Sequence, residues 1–178
     1  NMDYAVSKDV TKDNGYHIRT KTYAIKPWAF EKNFSVVFDE DGIFLVEKKP
    51  IRLIEEACII YGSSLSGRRK AVIEQFDYPF KTPIPISPEK YIFAYPSASI
   101  TSPECEWFFA NNILHIANNT KAYGSVVTFR NGTKITSATP PHLLKKQLER
   151  TALCMIMLVM NNRMEYQRIF SKLFEIAQ

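Results

Sequence analysis

Val126-Val127-Thr128-Phe129-Arg130-Asn131-Gly132-Thr133-Lys134-Ile135-Thr136, followed by Ser137-Ala138-Thr139-Pro140, divides the chain into two kinds of structure. Asn-Gly supplies the backbone freedom of a tight reversal, and the β-branched residues on both sides predict a hairpin. Thr139 and Pro140 then mark a helix start. Beyond them Leu144, Gln147, Leu148, Thr151, Ala152, Met155, Ile156 and Val159 recur at three- and four-residue intervals, the period of one helix face. Asn161 and Asn162 loosen or break this helix, after which Tyr166, Ile169, Phe170, Leu173, Phe174 and Ala177 form a second apolar stripe. The expectation is an α+β protein, β-rich to Thr136 and helical from Thr139 onward.

Working back from the hairpin, residues 1–15 are polar and mixed in charge and read as a flexible lead-in. Alternation from Tyr16 to Ala24 predicts a strand, and Phe34, Val36 and Phe38 with Ile43 to Val46 predict a hairpin about Asp41-Gly42. Ile51 to Tyr61 carries some helical propensity at Glu55, Glu56 and Ala57, but its ending Ile59-Ile60-Tyr61 favours a strand. Gly62 to Lys70 reads as a polar loop, Ala71 to Phe76 as a strand, and Pro79, Pro83, Pro85 and Pro88 as a helix-free connection. Tyr91 to Tyr95 predicts a short strand, and Ser102-Pro103-Glu104 reads as a helix start, with Trp107, Phe108 and Phe109 left open as strand. With no repeat and no long linker, residues 16–178 are expected to form one domain. Its antiparallel core would span about 16–136, and two helices over 139–178 would pack on that core or across a subunit boundary.

Composition bounds what such a protein can be. In 178 residues, 46% hydrophobic and 13% aromatic content excludes a disordered tail, and 23 cationic against 18 anionic side chains gives a net charge of +5, compatible with an anionic partner. Cys58, Cys105 and Cys154 are too far apart for a zinc knuckle or redox pair and read as small buried residues of a reduced, cytoplasmic protein. His17, His115 and His142 share no metal-ligand spacing, and the acidic run Asp39-Glu40-Asp41 sits at a predicted turn where solvated carboxylates are common. Neither a metal nor a cofactor is expected. The opening Asn1-Met2-Asp3-Tyr4 and the short apolar run Leu153 to Met160 predict neither a secretory leader nor a membrane span.

Two segments have the chemistry of an anion contact. In Tyr61-Gly62-Ser63-Ser64-Leu65-Ser66-Gly67-Arg68-Arg69-Lys70, glycines free the backbone, hydroxyls offer donors, and three consecutive cations can neutralise phosphates. The blander reading of the same stretch is a solvated turn with a basic rim, and it lacks the Lys-Ser/Thr ending of a nucleotide-binding loop. From Trp107 to Leu148 there is no Asp or Glu, while Lys121, Arg130, Lys134, Lys145 and Lys146 all fall there. Arg130 and Lys134 flank Asn131-Gly132 on a thin projecting element that could enter a DNA groove or simply be a solvated tip. Ser63 and Ser64 lack the elbow sequence of a hydrolase nucleophile and a recognisable base, so a phosphate-ester enzyme is the weakest reading and no enzyme is expected.

An ordered set of motifs narrows this further. Pro50-Ile51, Cys58, Tyr61-Gly62-Ser63-Ser64, Gly67-Arg68, the Pro-rich connector, Phe93, Pro96, Ser102-Pro103-Glu104-Cys105-Glu106-Trp107, the hairpin Val127 to Gly132, and Gln147, Arg150, Thr151 and Ala152 resemble the bacterial competence transcription factor family, ComK, over about residues 34–163. The resemblance implies a cytoplasmic, nucleoid-associated activator of DNA-uptake and recombination genes that binds paired A/T-rich boxes through the minor groove as a dimer or larger assembly. It also implies control by an adaptor of a Clp-type protease, and RNA polymerase as a partner. Gly62, Ser63, Ser64, Gly67, Arg68, Asn131 and Gly132 carry over as matching DNA-contact candidates, to which electrostatics adds Arg69, Lys70, Arg130 and Lys134. Tyr166, Ile169, Phe170, Leu173 and Phe174 are the oligomerisation candidates. An interaction module with the same fold and little DNA affinity is the alternative.

Overall fold

The structure, a computed structural model, describes residues 10–176, without the side chains of Asn162, Tyr166 and residues 168–176. In chain order the elements are β1 (Val10–Lys12), β2 (Thr22–Pro27), β3 (Ser35–Asp39), β4 (Gly42–Val46), α1 (Pro50–Ile60), α2 (Leu65–Phe76), β5 (Ile84–Ser87), β6 (Ile92–Pro96), β7 (Trp107–Phe109), β8 (Ile113–Asn118), β9 (Ser125–Phe129), β10 (Lys134–Ser137) and α3 (Pro141–Ile176). Seven strands form one sheet in the order β1-β4-β3-β2-β7-β6-β5, antiparallel except for the parallel pair of β1 with β4. The other three form an antiparallel sheet, β10-β9-β8.

Strand alternation sorts the side chains into two cores. Ile25, Val37, Ala94, Trp107 and Phe109 face Leu53, Ile54, Ala57 and Cys58 of α1. Ala24, Val36, Phe38, Tyr95 and Phe108 face the other way, onto Ile116, Val127, Phe129 and Ile135 of the small sheet and Leu144 of α3. Tyr23 stacks on Phe129 at 4.9 Å between centroids. The larger sheet is therefore a middle layer, and burial of both its faces makes Trp107-Phe108-Phe109 a continuous apolar run.

Polar groups tie the layers together. Lys26, buried on β2, pairs with Glu106 at 2.8 Å and donates to the Thr136 carbonyl of β10 at 2.7 Å. Ser137 hydrogen-bonds the same Glu106 carboxylate, whose backbone amide donates to Ser97 Oγ. Arg150 of α3 lies over the Tyr78 ring at 4.1 Å and donates to the Phe80 carbonyl. Arg163 donates to the Tyr91 hydroxyl at 2.8 Å, so α3 is held along the connector that includes β5.

The α+β class and the antiparallel pairing agree with expectation, as do the hairpins β3–β4 and β9–β10 and the strand at Ile92–Pro96. Several element assignments are corrected. Ile51 to Tyr61 is helix: Pro50 starts it, and Leu53, Ile54, Ala57 and Cys58 recur at helical spacing on the buried face. Ile59 and Ile60, which suggested a strand, are 66% and 54% exposed and take no part in the core. Leu65 to Phe76 is one helix, so Arg68, Arg69 and Lys70 are helical and Ala71 to Phe76 is no strand. Ser102 to Cys105 forms tight turns instead of a helix, because β7 begins at Trp107 and leaves no length for one. The predicted strand from Tyr16 starts only at Thr22, after a turn in which the Thr22 amide donates to the Arg19 carbonyl. The predicted lead-in includes β1, residues 1–9 lying outside the described residues. Asn161 and Asn162 do not break α3, which runs for 36 residues as one helix in place of two.

The acidic turn is engaged internally. The side chain of Asp39 is fully buried and accepts from Tyr16 OH at 2.8 Å, from Arg19 Nε and Nη2 at 3.0 and 2.8 Å, and from the Asp41 amide. Burial works to raise its pKa, but the bonds from Arg19, the Asp41 amide and Tyr16 outweigh it and hold the carboxyl below its ordinary 3.8. A depressed carboxylate contributes stability above its unfolded pKa and loses it as pH falls through the folded one. In a urea-denaturation series from pH 7 to 2, the stability gap between wild type and Asp39→Asn should therefore shrink below about pH 4. A gap independent of pH would remove the charge from this account.

Candidate nucleic-acid interface

The first candidate segment is a helix stop and a helix start placed back to back. Gly62 follows the last residues of α1 with φ 84°, its amide donates to the Ile59 carbonyl, and the Ser63 amide donates to the Cys58 carbonyl. That pair of bonds closes a helix and needs a residue at ease with positive φ. Ser64 then caps α2 by accepting from the Gly67 amide at 3.0 Å. Gly67 has little room for a side chain: a Cβ there would lie 3.1 Å from Ser64 Oγ and 3.4 Å from Ser63 Oγ.

The three cations of this segment separate. Arg68 is turned inward: it donates to the Tyr61 carbonyl at 2.6 Å, and its Nε is buried without a hydrogen-bond partner. Burial lowers its pKa, partly offset by neighbouring Cys58, whose thiol burial pushes up to about 11. Arg69 donates to the Pro79 carbonyl at 2.8 Å and Lys70 is exposed. Ser63, Gly67 and Arg68, with Pro85, Pro88 and Leu158, line a cleft of about 250 Å³ between α2, the β5 segment and α3.

The second candidate segment lies on the other side of the middle layer. Phe129 and Thr133 close a three-residue loop in which Gly132 takes φ 88°, the Gly132 amide donates to the Phe129 carbonyl and the Thr133 amide to Asn131 Oδ1. Arg130, Asn131, Gly132 and Lys134 are exposed, and the Arg130 amide is anchored on the Asn112 carbonyl. The loop with Gly62, Ser63, Ser64 and Gly67 packs with α1 and α2 against one face of the large sheet, while the hairpin belongs to the layer on its opposite face. The structure does not bring them into one site.

Register places His115 and Thr128, which the sequence reading did not single out, beside the candidate Lys134 across β8, β9 and β10, and Ala117, Val126 and Thr136 form the next row on the same side. Ile116, Val127 and Ile135 point the other way into the core. The acid-free composition was visible from the sequence, but not that β8 completes the surface. The oligomerisation candidates Tyr166, Ile169, Phe170, Leu173 and Phe174 have side chains outside the described residues. Among the described residues no group of three or more His, Cys, Asp or Glu could hold a metal ion, and no helix is long and apolar enough to cross a membrane.

The family described as ComK protein matches residues 13–165, from the strand-paired N-terminal segment into α3. The chain belongs to the ComK family. A competence transcription factor of Bacillus subtilis (strain 168) is 29% identical over 138 residues, covering 77% of this chain and 71% of that protein. No solved structure matches. The ComK match spans both candidate segments, the α1–α2 junction and the β9–β10 hairpin.

Proposed function

We propose that this ComK-family chain is a non-enzymatic, DNA-binding activator of competence genes that recognises paired A/T-rich boxes through the minor groove. Family membership and the name of the Bacillus subtilis relative support the regulatory role. The observation that carries DNA contact is the acid-free segment between Trp107 and Leu148, which folds into a sheet with exposed Arg130 at its tip and Lys134 on an edge strand. Arginine suits a narrow A/T-rich minor groove, where the negative potential is enhanced, and groove width and deformability supply the sequence preference. Arg69 and Lys70 add a phosphate anchor at α2, whereas Arg68 braces the α1–α2 junction. Assembly as a dimer or larger species on DNA, in the cytoplasm, with RNA polymerase and an adaptor of a Clp-type protease as partners, completes the reading. The exposed residues Leu153, Ile156, Met157, Met160 and Met164 of α3 offer apolar surface for that assembly.

The test is a salt-series fluorescence anisotropy titration with two labelled duplexes of equal length, one with paired A/T boxes and one with the boxes replaced by G·C. Tighter binding to the A/T duplex, dependent on box phasing, is expected. Arg69→Ala and Lys70→Ala should each flatten the salt slope by about 0.9, uniformly across sequences. Arg68→Ala should instead lower the urea midpoint, since it removes the bond to the Tyr61 carbonyl. Unchanged affinity and slope in the Arg69/Lys70 double variant would remove α2 from the interface. Folded wild type that ignores both duplexes would favour the interaction-module alternative.

A further inference from the structure

The geometry points to the outward face of the β8-β9-β10 sheet as a docking surface for the sugar-phosphate backbone of duplex DNA, with the hairpin tip alone entering the groove. This rests on the DNA-binding reading above and says which surface carries it. Across the face, exposed His115 and Lys134 stand at the two edges with the half-buried Thr128 between them. The next row, Ala117, Val126 and Thr136, is made of small side chains that permit close approach. Donors at the edges, a hydroxyl between them and small residues behind are what a phosphate chain requires.

Charge complementarity selects the occupant. A solvated sheet face ordinarily mixes both signs. Here the sheet, its connections and the first turns of α3 contain no carboxylate side chain. Cations also bracket the strands lengthwise: exposed Arg130 lies at one end of β9, and exposed Lys121 lies in the β8–β9 connection at the other, where Tyr123 is 80% exposed. Five residues of β9 extend about 17 Å, so the ends can reach separate phosphates. Width assigns the parts. Three strands span roughly 10 Å before side chains are added, more than the minor groove of about 6 Å can admit. The face must lie along the backbone while the narrower Arg130-Asn131-Gly132 loop reaches between strands.

Thr128→Glu puts a carboxylate at the centre of the face, and His115→Glu does so at an exposed edge where refolding is not at issue. Each should weaken binding of the labelled A/T-box duplex about tenfold or more through like-charge repulsion with phosphate. Lys134→Ala should reduce the salt slope by about one, equally for A/T and G·C duplexes. Thr101→Glu, in the β6–β7 connection, carries the same charge change as Thr128→Glu and should bind like wild type. Thermal melts confirm that each variant is folded. Losses at positions 128 and 115 but not 101 establish the face. Wild-type affinity and slope in the folded His115→Glu and Lys134→Ala proteins overturn it while leaving DNA binding intact. If wild type binds neither duplex, the DNA-binding reading fails and the assignment of this face fails with it.

Discussion

Gly124→Ala is expected to lower the thermal midpoint by roughly 10 °C, the consequence of losing about 4 kcal/mol in a chain of this size. Gly124 is buried just before β9 with φ 114°, and a Cβ built there would lie 2.0 Å from the Ser137 carbonyl oxygen. That oxygen is backbone and cannot swing aside as a side chain would. Moving it would disturb the Ser125–Ser137 end of the β9–β10 ladder and the bond from Ser125 Oγ to the Thr139 carbonyl, where α3 is about to start. Gly132 supplies the comparison: its φ is also positive, at 88°, but no atom lies within 4 Å of its missing Cβ. Gly132→Ala should therefore cost only the left-handed backbone penalty, about 1 to 2 kcal/mol. Thermal or urea melts of both variants separate the two effects. A Gly124→Ala protein as stable as Gly132→Ala would mean that the end of β10 yields easily and that close approach is not why glycine stands there.

Glu106→Ala is the second large effect, an expected loss of about 3 to 5 kcal/mol, because it removes the carboxylate that pairs with the buried Lys26 ammonium at 2.8 Å. Both side chains are about a tenth exposed, and the carboxylate also holds Ser137. The damage should be concentrated where the small sheet meets the large one, since Lys26 and Glu106 lie on β2 and just before β7 while Thr136 and Ser137 belong to β10. Hydrogen exchange should accordingly rise first in β9 and β10. Lys26→Met combined with Glu106→Leu should recover part of the loss, since an apolar pair removes the buried ammonium together with the carboxylate but leaves the Ser137 hydroxyl and Thr136 carbonyl with fewer partners. The measurement is urea denaturation of Glu106→Ala together with a double-mutant cycle of Lys26→Met and Glu106→Leu. Additive losses from the two single substitutions would show that the charges do not act as a pair.

How much could be read in advance depended on where each signal acts. Asn131-Gly132 and Asp41-Gly42 specify reversals within a few residues, and both hairpins form there. Pro140 and the period from Leu144 onward predicted α3 because amphipathic spacing needs only one buried side. Ile51 to Tyr61 carries a strand-like ending because β-branched Ile59 and Ile60 signal a strand whatever their burial, and both are exposed. Gly62 and Ser64 each carried a helix-terminus meaning, stop and cap, but standing two residues apart they resembled an ordinary polar loop. Arg68, Arg69 and Lys70 formed a single cationic run in sequence. The turn of α2 gives them three different surroundings.

The chain alone determined the α+β composition, the two glycine-centred hairpins, the acid-free stretch from Trp107 to Leu148 and the family to which those motifs belong. These are local or ordered properties, carried by backbone preference, charge and spacing. Only the tertiary structure decided that the α1–α2 junction and the hairpin lie on opposite sides of the middle sheet, that Arg68 turns inward, and that His115 stands in line with Thr128 and Lys134. Strand order and register bring together residues distant in sequence. They depend on which apolar faces bury one another, and that choice is made by the packed layers acting together.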